Sequence, residues 1–461
     1  MRKSRNIIIA ALVLVILLGA YLYINHQSQE NGIEEETDSE LTISNTSRDK
    51  ITKMILTSSK GEITIERKDD IWVLTGNEDI ELDQDKVNDL AYSFAVIFAE
   101  RIVEENPQDL EKYGLKSPVA TVKAFFDDGD TREYYLGNKT PEGTTYYLMK
   151  KDDPKVYTVW MNHGENFSSG LDDLRNKKLT AINTLELDYL YIKQEDKPVI
   201  EIVSNINEEL NKYGLDLWML KQPYNHTYAV GSKDFMELLE KGFEFTIEEF
   251  VEDKPSDLSK YGLDEPRIEI QIKDTSNSLH LLVGSNKDDN LVYAKTADKD
   301  TVFTMAFSKL QPLLDLKPID LIDRFVYIID INLIDAIEIE HEGKVDKLTL
   351  SRTTKKSEDS DEEETITTYK VNGKEVKEEA FKDYYQNLIG ITFDAELDKE
   401  VEKTEPEIRT TFTLNSGEKV TVEYVPYDDD FYTVYRDGVS DFVASKKKVK
   451  TMLDSLKELT K

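Results

Sequence analysis

The chain has 461 residues, no cysteine, and a formal net charge of −34 from 92 acidic and 58 basic side chains. The acidic balance argues against nucleic-acid binding, which requires a cationic surface, and the missing cysteines exclude disulfides, thiolate metal ligands and cysteine nucleophiles. Hydrophobic residues still make up 39% of the chain, so we expect folded domains with apolar cores.

The N-terminus predicts a membrane anchor. Residues 7–24 form an uncharged apolar run that, as a helix with a rise of about 1.5 Å per residue, would cross the hydrocarbon of a bilayer. Arg2, Lys3 and Arg5 precede this run, so the positive-inside rule leaves residues 1–6 in the cytoplasm. A cleaved signal peptide is the competing interpretation, but the run is long and no small-x-small cleavage site follows. We therefore expect a single-pass protein of the cell membrane whose bulk is extracytoplasmic, in a periplasm or at the cell surface.

Two acidic segments of low complexity predict solvated chain. Residues 25–49 are polar, rich in Glu, and without hydrophobic periodicity, which is typical of a flexible stalk. Residues 353–365 read TTKKSEDSDEEET and predict a solvated loop between two strands, since like charges repel and favour exposure.

An internal duplication organises the rest of the chain. VEENPQDLEKYGLKSP at 103–118 and VEDKPSDLSKYGLDEP at 251–266 are identical at ten of sixteen positions, with an offset of 148. Landmarks outside these segments keep a similar offset, so we predict repeats at residues 50–183 and 184–330 and a divergent third repeat at 331–461. A further copy, ELNKYGL at 209–215, is out of register with the others, and we interpret it as a coincidence.

Each repeat is predicted to contain strands, a helix, the YGL segment, a second set of strands and a terminal helix. Segments such as GEITIER alternate apolar and polar residues with the period of two of half-buried strands. Val87, Leu90 and Phe94 recur with helical spacing. The predicted fold class is therefore α+β, with an N-terminal transmembrane helix followed by three repeated antiparallel-sheet-plus-helix units.

The residues that recur in the first two repeats are candidate structural elements. We predict that Asp109 caps a short helical turn, that Gly114 ends it in the left-handed conformation, and that the neighbouring Tyr and Leu pack inward. A tyrosine-lined binding spot is the alternative interpretation. The residues of this structural motif are Trp72, Tyr113, Gly114, Leu115, Pro118, Trp218, Tyr261, Gly262, Leu263 and Pro266.

These residues resemble a known family. A Trp-bearing strand, a helix, the segment D-L-x-x-Y-G-L-x-x-P, and then D-G…L-G with Tyr-rich strands are similar to domain of unknown function 4340, found in exported bacterial proteins. The resemblance covers the first two repeats well and the third weakly. It implies an accessory extracytoplasmic component encoded beside ABC-type transporters like those of gliding-motility systems, and it carries over no catalytic residue.

The sequence contains no recognisable enzyme signature. A phosphate-binding glycine loop, a G-x-S-x-G elbow and an H-E-x-x-H motif are all missing, and the histidines are isolated. Carboxylate pairs fall in predicted turns, as at 127–130, 288–289 and 428–430, where Asp favours the turn backbone. We therefore assign no catalytic residue, cofactor or metal site, with weak calcium binding at DDGD as an alternative.

Three functional hypotheses follow from these observations. The leading one is a non-enzymatic, membrane-anchored accessory or assembly subunit whose protein partners are ABC-type transporter subunits. The second is a binding module for an envelope polymer or exported substrate, which would use exposed rings of the Tyr-rich strands around 134–147 and 424–435. The third is an unrecognised hydrolase with paired carboxylates.

Overall fold

A computed structural model describes residues 41–204, 217–356, 363–397 and 401–461. These residues fall into two compact units that divide between Lys177 and Lys178. The predicted anchor at 7–24 and the YGL copy at 209–215 lie outside the described residues. Within the described ranges, no helix is both long and apolar enough to cross a membrane.

The N-terminal unit is built on one large antiparallel sheet. The strands of this unit, in chain order, are β1 (Thr42–Asn45), β2 (Ile51–Ser58), β3 (Gly61–Lys68), β4 (Ile71–Leu74), β5 (Val96–Phe98), β6 (Arg101–Glu104), β7 (Ala120–Phe126), β8 (Thr131–Lys139), β9 (Thr145–Lys150) and β10 (Val156–Trp160). Its helices are α1 (Gln84–Ala95), α2 (Met161–Phe167) and α3 (Leu171–Leu174). The large sheet has the order β4-β3-β2-β7-β8-β9-β10-β6, and β1 pairs separately with β5.

Helix α1 covers one face of this sheet. The side chain of Asp83 caps its first turn by accepting hydrogen bonds from the next backbone N–H groups. Val87, Leu90 and Phe94 are fully buried on its inner face, as their helical spacing predicts. Phe167 of α2 packs on Phe94, with the two ring centroids 4.8 Å apart.

The predicted acidic stalk is wrong at its C-terminal end. Residues 42–45 form strand β1, which pairs with β5. Two contacts hold this strand in place: the Ile43 side chain is buried in the core, with 8% of it exposed, and the Ser44 hydroxyl donates to the backbone oxygens of Phe94 and Ala95. The short sequence TISN carries one buried apolar residue, too little for a hydrophobic period to identify it.

The C-terminal unit contains two further large sheets. The second sheet is made of β11 (Leu187–Gln194), β12 (Ile200–Ser204), β13 (Trp218–Gln222), β14 (Tyr228–Ala229), β15 (Glu249–Asp253), β16 (Ile268–Asp274), β17 (Ser278–Asn286), β18 (Leu291–Thr296) and β19 (Thr301–Ala306). Its helices are α4 (Lys233–Lys241), α5 (Gln311–Leu314) and α6 (Pro318–Leu321). The strand order is β14-β13-β12-β11-β16-β17-β18-β19-β15.

The third sheet follows in the same unit. Its strands are β20 (Ile334–His341), β21 (Lys344–Lys356), β22 (Glu363–Val371), β23 (Lys374–Glu375), β24 (Ala395–Glu396), β25 (Ile408–Leu414), β26 (Lys419–Pro426), β27 (Phe431–Arg436) and β28 (Val439–Ser445), with helices α7 (Glu378–Ile389) and α8 (Lys446–Leu459). The order β23-β22-β21-β20-β25-β26-β27-β28-β24 matches that of the second sheet strand for strand.

The predicted α+β class is wrong, because the described residues are mostly β-sheet, with 45% in strands and 21% in helices. The two sets of strands in each repeat fuse into one sheet through a central antiparallel pair, β2 with β7, β11 with β16, and β20 with β25. The terminal helices predicted for the first two repeats are reduced to short segments such as α2 and α3. Strands therefore dominate each repeat.

The loop predicted at 353–365 is also shorter than expected. Strands β21 and β22 extend into this segment and pair as far as Lys356 with Glu363. The flanking β-branched residues Thr353, Thr354, Thr365 and Ile366 favour extended backbone, which outweighs the polarity of the run.

A buried carboxylate joins the second and third sheets within the C-terminal unit. Asp441 of β28 is 9% exposed and accepts hydrogen bonds from the backbone N–H groups of Asn225 and His226 and from the Tyr228 hydroxyl, at 2.8, 3.0 and 2.9 Å. Burial, together with the nearby charge of Asp441, raises the pKa of Tyr228. The Arg436 guanidinium lies 4.9 Å from the centre of the Tyr228 ring and adds a cation–π contact.

We predict that Asp441→Ala destabilises the C-terminal unit by about 3 kcal/mol, because these three donors and the Asn225 side-chain amide, which also donates to the carboxylate at 2.9 Å, would lose their acceptor in a buried place. Urea unfolding followed by Trp218 fluorescence, in a Trp72→Phe, Trp160→Phe background, measures this unit alone. Asp429→Ala is the control, since that side chain is exposed in a turn and we expect a change within about 0.5 kcal/mol. Equal stability of the two variants would contradict the role given to Asp441.

Candidate functional site

The YGL segment of the N-terminal unit, residues 109–115, forms a tight turn that we call the first clasp. The Asp109 carboxylate accepts a hydrogen bond from the Glu111 N–H at 2.9 Å, and residues 111–113 form a single 3-10 turn. Gly114 ends that turn with φ 70°, which confirms the predicted left-handed cap. The Leu115 N–H then donates to the Leu110 carbonyl at 3.0 Å and closes the turn.

Tyr113 fixes the first clasp to the edge strand β6. Its hydroxyl donates to the Glu104 carboxylate at 2.6 Å, and the Lys112 ammonium pairs with the same carboxylate at 2.7 Å. The hydrogen bonds from Lys112 and Tyr113 lower the pKa of Glu104, and the bond to Glu104 raises that of Lys112. The pKa of Tyr113 is raised, first by burial and then by Glu104.

A glycine in the sheet lets the clasp approach the backbone. A Cβ atom added at Gly137 of β8 would overlap the backbone oxygen of Tyr113, so no other residue fits there without lifting the clasp. Tyr147 of β9 packs against the Tyr113 ring with centroids 4.9 Å apart, and Leu115 and Val156 complete a small buried cluster. This cluster is separate from the main core of the unit.

The second clasp, residues 257–263, repeats this geometry in the C-terminal unit. Asp257 accepts from the Ser259 N–H at 2.9 Å, and Gly262 has φ 66°. The Tyr261 hydroxyl donates to Glu252 of edge strand β15 at 2.6 Å, and Lys260 pairs with the same carboxylate. Gly284, Tyr293, Leu263 and Val302 take the corresponding places around Tyr261.

The third sheet covers the corresponding region differently. The Tyr435 hydroxyl donates to the Val401 backbone oxygen at 3.3 Å, and the Lys403 ammonium lies 4.9 Å from the Tyr435 ring centre. Lys403 also pairs with Glu423. The segment after β24 thus contacts the sheet without the YGL sequence, which this repeat lacks.

The remaining motif residues hold the strands and helices together. Trp72 is 2% exposed, and its indole N–H donates to Asn88 of α1 at 3.0 Å. Trp218 is 7% exposed and donates to the Leu187 backbone oxygen at 2.8 Å. Two half-buried prolines lead into the strands that follow the clasps: Pro118 precedes β7 and Pro266 precedes β16.

The family model described as "Domain of unknown function (DUF4340)" matches residues 72–241 and 218–408, more than half of the chain. The chain belongs to the DUF4340 family. Each DUF4340 match begins at one of the two buried tryptophans. No curated protein and no solved structure matches the chain.

The tyrosines of the DUF4340 strands are packed. Tyr134 is fully buried in the main core, while Tyr135 and Tyr147, on the opposite face, are half-buried against the first clasp. In the third sheet Tyr424, Tyr432 and Tyr435 are buried. The binding-module hypothesis relied on exposed rings at these positions, and the clasp and the neighbouring strands cover them.

The carboxylates of the turns are used by the turns themselves. Asp128 accepts from the backbone N–H of Asp130 at 2.9 Å, and Asp288 accepts from that of Asn290 at 2.8 Å. Asp428 accepts from the backbone N–H of Asp430 at 2.8 Å. In the described part of the chain no group of three or more His, Asp or Glu side chains is placed to hold a metal ion.

A cleft lies beside helix α1 in the N-terminal unit and another beside helix α4 in the C-terminal unit. In the N-terminal unit a cavity of about 400 Å³ lies beside α1, where Lys60 pairs with Asp173 at 2.7 Å and Lys86 donates to the Asp173 backbone oxygen at 3.0 Å. In the C-terminal unit a cavity of about 410 Å³ lies between α4 and the α5–α6 segment. Its lining is more acidic than basic and consists of Ser232, Asp234, Glu237, Leu238, Lys241, Pro312, Asp315, Leu316, Lys317, Asp320 and Leu321.

We predict that Tyr113→Ala and Tyr261→Ala each destabilise the unit that contains them by about 3 kcal/mol, because each removes a buried ring and its hydroxyl bond. Tyr→Phe at either position should cost only about 1 kcal/mol, since the ring packing remains. Urea unfolding measures both, with Trp72 and Trp160 reporting on the N-terminal unit and Trp218 on the C-terminal unit.

Tyr92→Ala is the control for the N-terminal unit, because Tyr92 is 50% exposed on α1 and its loss should matter little. If Tyr113→Ala cost no more than Tyr92→Ala, the clasp would not be a structural staple, and its tyrosine would be better explained as a contact for a ligand.

Proposed function

We propose that the protein is a membrane-anchored, extracytoplasmic accessory or assembly subunit that works with an ABC-type transporter or another cell-surface machine and catalyses no reaction itself. We base this proposal on the recurring polar residues, which bind one another. Glu104 with Lys112 and Tyr113, and Glu252 with Lys260 and Tyr261, are engaged with one another in two clasps of the same geometry.

A catalytic site requires polar groups that converge on a reacting atom in a cleft. The recurrent DUF4340 groups instead tie a turn to an edge strand, and the carboxylates of the turns accept hydrogen bonds from their own backbone. Both sets of hydrogen bonds stabilise the conformation of surface turns. Repetition of one sheet plan under variable loops is a common way to present surfaces to partner proteins.

The N-terminal unit exposes large apolar side chains suited to protein contact. Trp160 is 53% exposed at the end of β10, and Tyr92 and Phe98 are 50% and 40% exposed. Aromatic residues are enriched at protein interfaces, and Trp and Tyr are enriched among the residues that contribute most of the binding energy. We assign contact with a transporter subunit to this group.

The anchor and the partner complete the proposal. A membrane helix at 7–24 would place the folded units beside the extracytoplasmic side of a transporter, and the family resemblance implies ABC-type subunits as neighbours. The net charge of −34 would keep the folded part away from anionic lipid and from nucleic acid.

Affinity purification from detergent-solubilised membranes tests the proposal. We predict that the wild-type protein retains ABC-type transporter subunits and that Trp160→Ala reduces their recovery at least about tenfold, since loss of an interface aromatic costs about 2 kcal/mol or more. Val345→Ala is the control, because Val345 is 60% exposed in the C-terminal unit. Retention of an envelope polymer instead of transporter subunits would contradict the accessory role and support a binding module.

A further inference from the structure

In the first two repeats, an extended segment from later in the chain pairs with the residues that lead into helix α1 or α4. In the N-terminal unit, Arg175 forms an antiparallel bridge with Leu82. The Asp83 N–H donates to the Leu174 carbonyl at 2.8 Å, and the Asn176 N–H donates to the Glu81 carbonyl at 2.9 Å. The chain that leaves α3 therefore adds a short strand next to the start of α1.

The second sheet fills the same position in the same way. Ile322 bridges Val230, the Gly231 N–H donates to the Leu321 carbonyl at 3.1 Å, and the Asp323 N–H donates to the Ala229 carbonyl at 2.8 Å. The two inserted segments, LRN at 174–176 and LID at 321–323, share a leucine and then Asn or Asp two residues later.

The third sheet has the same receiving edge. The Val376 N–H donates to the Tyr369 carbonyl at 3.0 Å, as the Val230 N–H does to the Trp218 carbonyl at 2.9 Å. Backbone groups alternate in direction along an antiparallel ladder, so the Lys377 N–H and the Glu375 carbonyl point to the opposite side. Strand β23 is the outermost strand of this sheet.

The receiving edge of the third sheet is unoccupied by any described residue. Leu82 and Val230, which lie under the inserted segments, are 5% and 7% exposed, whereas Val376 is only half-buried and Glu375 and Lys377 are exposed. Asp83 and Ser232 cap their helices with a side chain, while Lys377, the cap of α7, makes no side-chain cap. An edge with unpaired backbone groups is a template for another strand.

We propose that this edge binds an extended segment of a partner protein by strand addition. We expect the partner segment to have the sequence pattern of the two inserted segments. Its leucine carbonyl would accept a hydrogen bond from the Lys377 N–H. Two residues later, the N–H of an Asn or Asp would donate to the Glu375 carbonyl. Strand addition derives its affinity from main-chain hydrogen bonds and its specificity from side chains such as this leucine. This inference concerns a second surface and does not depend on the transporter contact assigned to Trp160.

The probe is a fluorescently labelled peptide of residues 317–325, KPIDLIDRF, added to the full-length protein in detergent. Fluorescence anisotropy should show saturable binding. Lys377→Pro should weaken it at least about tenfold, since proline lacks the N–H donor. The φ of Lys377 is −69°, which proline adopts without strain, so α7 should remain folded. Lys377→Ala keeps the N–H and should bind like the wild type.

A second measurement leaves the protein unchanged. The same peptide methylated on the backbone nitrogen of the residue corresponding to Asp323 cannot donate to Glu375 and should bind the wild-type protein at least about tenfold more weakly. Absence of saturable binding, or equal binding by the wild type and Lys377→Pro and by the plain and methylated peptides, would overturn the proposal.

Discussion

The rest of the fold depends on the central strand pair of each sheet, because this pair creates a broad sheet with two faces to cover. Pairing of β2 with β7 turns two separate strand sets into one broad sheet, and the pairs β11–β16 and β20–β25 do the same in the C-terminal unit. A broad sheet has two faces, and the apolar side chains on both must be removed from water. In the first two repeats a single long helix, α1 or α4, covers only one face, so the other face requires a different cover.

The clasps supply that cover in the first two repeats. Tyr113 and Tyr261 bury their rings on the face away from the main core, and their hydroxyls meet a glutamate of the edge strand. The glycines Gly137 and Gly284 allow the backbone of each clasp to lie directly on the sheet. Because the same lysine–glutamate–tyrosine arrangement recurs with the same tyrosine–glutamate distance of 2.6 Å, we attribute the sequence identity of the two segments to this shared packing.

Some of this structure could be predicted from the sequence and some could not. The left-handed Gly114 and the inward packing of Tyr113 follow from local turn chemistry, which short segments encode. Sequence reasoning did not identify the partner Glu104, although a V-E pair recurs with its glutamate nine residues before the tyrosine of each clasp. Sequence spacing alone does not say which strand becomes the edge of a sheet. The fusion of strand sets into one sheet depends on long-range pairing and led to the wrong fold class. Strand β1 was missed because four residues carry too little periodicity.

We infer that each clasp stabilises the sheet face on which it lies. Gly284→Ala tests it directly, because the added Cβ would overlap the Tyr261 backbone oxygen and lift the second clasp while leaving the polar groups in place. Hydrogen–deuterium exchange by mass spectrometry of the wild type and this variant is the measurement. We expect faster exchange in β15 and in β17 to β19 of the variant, with β11 and β12 unchanged. Unchanged exchange throughout the second sheet would contradict it.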